Sequence, residues 1–262
     1  MNEKTVSSPV ACYVRSLPVG LERLYENVLD WERLPHVHRD SIAAISCLES
    51  GAWGWRATVT SVAGLQSLVE LRLDRRARSW VTRIAGEGLP AAEIRTQVRP
   101  QPGGVAVTVD ILVAAVAPAE GARLGQLYAR WWARRYDADV AMMVERQRQL
   151  DKRIDGGDRG CGQLDLGPRE ALSLPAEFDL RGREFLLVEV AGGLRALPRR
   201  CPHQLGPLHA DDIDIDAGVV TCRWHGNRFD LASGTNLSGG TCRFGHVPEV
   251  RIGVDGRVLI SW

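Results

Sequence analysis

What this 262-residue sequence lacks narrows its class before any motif is considered. No apolar run approaches the roughly 20 residues of a membrane-spanning helix, so a helical membrane protein is excluded. There is no charge excess: 33 Lys and Arg against 32 Asp and Glu leave a net +1, which gives no bulk field for nucleic acid or an acidic membrane. The first twenty residues hold no uninterrupted apolar core and no paired arginines, so neither a secretory nor a twin-arginine signal is expected. The six cysteines, Cys12, Cys47, Cys161, Cys201, Cys222 and Cys242, are scattered, which disfavours a disulfide framework and predicts a reducing, cytoplasmic setting. Internal repeats and long low-complexity tracts are also missing.

The chain is comfortable for two domains, and its composition changes near residue 151. An Ala, Arg and Trp-rich segment gives way there to DKRIDGGDRGCGQLDLGPRE, whose glycine, proline and charge describe a connection. The expected division is residues 1–153, a linker at 154–164, and a second domain at 165–262.

In the first part, a strand is expected around Ala11 to Arg15, then a short helical passage through LERLYENVLDWERLPHVH. Extended stretches follow, among them GWRATVTSV, LVELRLDRRARSWVTRIAG, AAEIRTQVRP and GVAVTVDILVAA, with Val105, Val107, Val109 and Ile111 alternating onto one face. A long helix from about Glu120 to Arg153 would cover the sheet with Leu124, Leu127, Tyr128 and Trp131, its tryptophans serving as core. The second part reads as short strands between glycine and proline turns, a small all-β domain.

That second part carries Cys201-Pro202-His203 and, at a distance, Cys222-Arg223-Trp224-His225. Four such ligands on two loops suit one zinc or a two-iron cluster. Zinc loops favour Cys-x-x-Cys or His-x(3-5)-His pairs, whereas a Cys and a His separated by one proline suit two irons, each loop giving its thiolate to one and its imidazole to the other. Gly206 and Gly226 are expected to let backbone N–H groups approach the cluster. His209, His246 and the run Asp211, Asp212, Asp214 and Asp216 read as ordinary surface groups.

With CPHQLGPL and CRWHGNRFDLASG on the page, residues 165–262 resemble the Rieske iron–sulfur domain. The resemblance implies a [2Fe–2S] cluster, Cys201 and Cys222 on one iron, His203 and His225 on the other. Respiratory Rieske proteins carry a further cysteine in each loop, joined as a disulfide; Trp224 stands at one of those places, so the lower-potential type of Rieske oxygenases and their ferredoxins is implied. The first part, a curved antiparallel sheet gripping a long C-terminal helix, resembles the START-like helix-grip superfamily, which commonly encloses a pocket for apolar ligands. The whole is therefore expected to be an α+β protein, a helix-grip domain followed by a small all-β Rieske domain.

Rieske oxygenases combine these two modules in the opposite order, with a mononuclear iron on two histidines and an aspartate in the helix-grip part. Their pattern of Asn, Asp, a histidine three residues on and a second five further falls here on Asn27, Asp30, Arg33 and His38. The segment YDADVAMMVERQRQ nominates Asp139 as the acidic ligand, before Asp137. Arginine cannot ligate iron, and it is expected to pair with Asp139 or Asp30 where the metal would sit. His36 would complete a triad with His38 and Asp139 only if Pro35 broke the helix.

Two readings follow. In the first, a Rieske-type oxidoreductase passes electrons from its cluster to non-haem iron beside an apolar substrate, with Asp30, His38 and Asp139 in the catalytic site and Asp30 bridging to a cluster histidine, in a homo-oligomer as the family implies. In the second, the cluster works in electron transfer or redox sensing and the first domain only binds a ligand or partner. No G-x-G-x-x-G fingerprint is evident, so a separate reductase or ferredoxin is the expected electron donor.

Overall fold

The computed structural model describes residues 9–86, 89–114, 118–154 and 162–262. Most of the expected linker, including Cys161, lies outside the described residues. The chain divides into two compact units, residues 1–147 and 148–262.

The first unit is built on a seven-stranded antiparallel sheet: β1 (Pro9–Leu17), β2 (Ile42–Gly51), β3 (Gly54–Ser61), β4 (Gln66–Asp74), β5 (Ser79–Gly86), β6 (Leu89–Gln101) and β7 (Gly104–Val113). Its order is β1-β7-β6-β5-β4-β3-β2, a meander from β2 to β7 closed by β1 beside β7. Helices α1 (Leu21–Leu29) and α2 (Leu34–Val37) lie between β1 and β2, and α3 (Pro118–Ile154) follows β7. The period-2 pattern of β7 holds, since Val105, Val107, Val109 and Ile111 are each 1 % exposed or less and form the centre of the core. The long LVELRLDRRARSWVTRIAG stretch is two strands, joined by a turn in which Arg78 takes a left-handed conformation (φ 54°). Strand β2 is not legible as a strand because most of its residues are exposed or half-exposed and its pattern is weak.

Helix α3 runs as expected, but it is rotated from the expected face. Leu127 is exposed, while Tyr128, Trp132, Tyr136, Val140 and Met143 pack on the sheet core. The rotation has a steric cause at Gly125, where a Cβ would stand 2.0 Å from the Val10 carbonyl oxygen. Only a residue without a side chain lets α3 come this close to β1, and that contact selects the stripe that faces inward.

The second unit holds three three-stranded sheets: β9 (Ala176–Leu180), β10 (Arg183–Val190) and β11 (Gly193–Pro198) in the order β11-β10-β9; β12 (Ile213–Asp214), β13 (Val219–Thr221) and β14 (Arg228–Asp230) in the order β12-β13-β14; and β8 (Gln163–Pro168), β15 (Glu249–Ile252) and β16 (Arg257–Ser261) in the order β15-β16-β8. The apolar run Phe185-Leu186-Leu187-Val188 in β10 is buried on both faces because it serves two cores. Leu186 and Val188 join Leu208, Val220, Phe229 and Phe244, whereas Phe185 and Leu187 join Phe178, Val258 and Ile260. The first of these clusters also contains Cys201 and Cys222.

Candidate metal centre and ligand cavity

In the second unit, the two Cys/His loops are built alike. The Cys201 N–H donates to the Gly206 carbonyl and the Cys222 N–H to the Asn227 carbonyl, each at 2.8 Å; the Leu205 and Gly226 N–H groups return to the Cys201 and Cys222 carbonyls at 2.9 and 2.8 Å. Each loop therefore closes on its own cysteine, with the residue four positions on in the left-handed region, Leu205 at φ 65° and Gly226 at φ 67°. Gly226 has a conformational reason to be glycine. Gly206 has a different one: the Trp224 indole lies against it, and a Cβ would meet the ring at 2.8 Å. Trp224 thus links one loop to the other.

The same geometry orders the four donors. Cys201 and Cys222 are buried, His203 is exposed and His225 half-buried, and the two imidazole rings stand 4.6 Å apart in an edge contact. The thiols are hydrogen-bonded to one another, which raises the Cys201 thiol and draws Cys222 down to about 7. Two buried sulfurs, with two imidazoles clustered on the outward side, fit a two-iron, two-sulfide centre with an inner thiolate end and an outer imidazole end. Around it, Asn227 Nδ2 lies 3.3 Å from His203 Nδ1, and Asn236 Nδ2 donates to Asn227 Oδ1 and to Cys242 Sγ. The aspartate run is not simply solvated, because the Asp212 side chain is only 3 % exposed, accepts the His209 N–H at 2.8 Å and pairs with Arg223.

In the first unit, a cavity of about 300 Å³ opens between the sheet and helices α1 to α3. Leu24, Val28, Trp55, Leu71, Trp80 and Ile94 supply its apolar wall; Asn27, Asp30, Arg33, His38, Arg135 and Asp139 supply polar groups. Trp131 and Trp132, expected as core, stack at 5.0 Å and line this cavity.

Arg33 and His38 are 3 % exposed. Arg33 engages Asp139 bidentately, Nη1 to Oδ1 at 2.6 Å and Nη2 to Oδ2 at 3.2 Å, and its Nε and Nη2 donate to the Asn27 carbonyl at 3.3 and 3.2 Å. His38 Nε2 stands 3.0 Å from the same Oδ1, and Asn27 Nδ2 donates to Oδ2 at 3.3 Å. Burial raises the Asp139 carboxyl, but the Arg33 charge and the His38 hydrogen bond outweigh it and hold the group well below the usual carboxylate range. Burial lowers His38, only partly opposed by Asp139, so it is neutral near pH 7 and gives its Nε2–H to the carboxylate. Among the described residues, Asn27 Oδ1 and Trp132 Nε1 are buried with no hydrogen-bond partner.

The structure brings His38 and Asp139 together, but a triad of His36, His38 and Asp139 does not form. Pro35 sits in the first turn of α2, where its missing N–H is harmless, and does not break the helix. His36 is consequently exposed on a helical turn, away from the side of His38, and is not among the described lining residues. The guanidinium occupies both Asp139 oxygens. The residues present do not fit a mononuclear iron. Asp137 is exposed and pairs with Arg15 at 2.6 Å, whereas Asp30 lines the cavity at the end of α1.

Arg135 escaped sequence reasoning. The signal was its position one helical turn before Asp139 and one turn after Trp131, a stripe that the core assignment of the tryptophans hid.

Residues 161–243 match the Rieske [2Fe–2S] domain, so the second unit carries a Rieske domain, which implies a [2Fe–2S] cluster. The first unit combines a seven-stranded antiparallel sheet with a long closing helix, a helix-grip arrangement. Among solved structures, the chain is similar to a START superfamily protein from Mycobacterium smegmatis (15 % identity, 51 % of this chain and 97 % of that one, TM-score 0.40). It is also similar to the Zhui aromatase/cyclase from Streptomyces sp. R1128 (12 % identity, 52 % and 93 %, TM-score 0.42) and to Ara h 8.0201 (17 % identity, 51 % and 95 %, TM-score 0.41). No curated protein matches the chain. Among the described residues no helix is long and apolar enough to cross a membrane.

Proposed function

We propose that this protein is a Rieske electron carrier whose helix-grip domain binds an apolar ligand and does not activate oxygen. Cys201 and Cys222 would hold the inner iron and His203 and His225 the outer one; when bound, the cluster supplies one-electron transfer at a potential raised by its imidazoles. The chain's own contribution is to bury the sulfur end in an apolar core, keep the imidazole end toward solvent, and tie the two loops together through Trp224. Electrons would come from a separate reductase or ferredoxin.

The observation that carries this reading is the bidentate Arg33–Asp139 pair beside His38. A permanently charged guanidinium occupies the lone pairs that an iron would need, so the cavity keeps its ligand-binding shape without a metal. The oxygenase reading, with Asp30, His38 and Asp139 as catalytic groups, would need Arg33 displaced.

Anaerobic purification with iron, acid-labile sulfide and EPR analysis tests both parts. Equal iron and sulfide, with a [2Fe–2S] signal after reduction, is the expected result. Iron in excess of sulfide would restore the oxygenase reading, and zinc with no such signal would remove the cluster assignment.

A further inference from the structure

The polar lining of the N-terminal cavity sets two guanidinium groups, Arg33 and Arg135, against two carboxylates, Asp30 and Asp139, yet among the described residues it leaves Arg135 with no carboxylate beside it. The Arg33 charge is matched by Asp139, and His38 is neutral. Among the described residues the Arg135 guanidinium meets the Ser41 hydroxyl, at 3.4 Å, and the faces of Trp131 and Trp132, 4.3 and 5.9 Å from its carbon. The carboxylates that act on it are Asp139, already engaged by Arg33, His38 and Asn27, and Asp40, which is exposed and hydrogen-bonded to Ser41. No carboxylate lies within ion-pair distance of Arg135 among the described residues. Burial lowers its pKa to about 10, which leaves it charged at neutral pH.

Two further observations point the same way. Trp132 Nε1 is a buried donor without a partner, and an indole nitrogen can only donate. On its other side Arg135 joins Arg39, Arg134 and Asp40 in lining a second, shallow recess, so the approach carries more cations than anions. A neutral ligand would leave the half-buried guanidinium without a counter-charge and the buried indole N–H without an acceptor.

We propose that the cavity takes an apolar anion: an aromatic body against Trp55, Trp80 and Ile94, and a carboxylate or comparably acidic oxygen received by Arg135 and the Trp132 N–H. This names the ligand class of the binding domain proposed above and rests on that reading.

Titration of the cluster-loaded full chain with 2-naphthoate and with its uncharged analogue 2-naphthamide, followed by tryptophan fluorescence and calorimetry, tests it. The acid is expected to bind about tenfold or more tighter than the amide, the difference made by a charge-assisted hydrogen bond. Arg135→Gln should erase that preference while amide binding persists, Arg135→Lys should keep part of it, and Trp132→Phe should weaken the acid more than the amide. Equal binding of both probes would overturn the anion assignment and leave the binding domain standing. Binding of neither, with circular dichroism unchanged, would overturn both.

Discussion

The two polar sites of this protein are opposites in their chemistry. The Cys201/His203/Cys222/His225 loops gather four groups able to offer lone pairs, two of them buried thiols packed in one apolar core. The Arg33/His38/Asp139 cluster also gathers metal-binding residue types, but its third member is a donor-only cation that saturates the carboxylate. The difference shows that convergence of ligand types on a buried spot does not make a metal site; the lone pairs must remain available, and one arginine decides that.

Removing one loop thiol should have the largest effect on this contrast. Cys222→Ser is expected to abolish the visible absorption and reduced EPR signal of the second unit; a retained signal would remove Cys222 from the ligand set. Next is the internal ion pair: Asp139→Asn leaves Arg33 buried and unpaired and should cost about 3–5 kcal/mol in chemical denaturation of the first unit. Asp139→Asn combined with Arg33→Met should recover much of that loss, and no recovery would show that the pair is not the cause.

Arg33→His sharpens the comparison directly. It places two histidines and an aspartate around the cavity and should raise bound iron above sulfide by up to one equivalent, measured on protein purified with added Fe(II). Unchanged iron would mean that these three positions cannot converge on an ion. A smaller effect concerns pH. The buried His38 has its pKa below the ordinary 6.5, so the unfolded chain takes up the proton first. Stability from this group is complete above about 6.5 and falls as the pH drops toward the folded value; Asp139, also held low, adds a second loss below about 3.8. Thermal scans between pH 8 and 5 should show this decline, and His38→Gln should flatten it.

The subtlest test is Trp224→Ala, which removes the indole resting on Gly206 and should shorten the lifetime of the cluster on exposure to a chelator without preventing its assembly. An unaltered lifetime would reduce the indole to a surface group.

Much of this was legible in the residues. The alternation in β7 and the length of α3 are local regularities, and the two short Cys/His motifs fix chemistry within single loops, where spacing and geometry are nearly the same thing. Arg33 could be marked as an interruption of an iron-binding pattern. Legibility failed where distant elements meet. The face of α3 depends on how closely Gly125 lets it approach β1, which shifts Leu127 outward and Tyr136 inward. The exclusion of His36 depends on whether α2 holds a turn through Pro35.

By itself, then, the sequence pointed to the metal chemistry proposed for the second unit, because cysteine and histidine at these spacings within two loops suit few other roles. Tertiary structure alone decided which aspartate the Arg33 guanidinium takes and that Arg135 is left over beside a cavity. Both depend on contacts about a hundred residues apart in the chain, and a charge is neutralised by what stands within a few ångströms, whatever its neighbours in sequence.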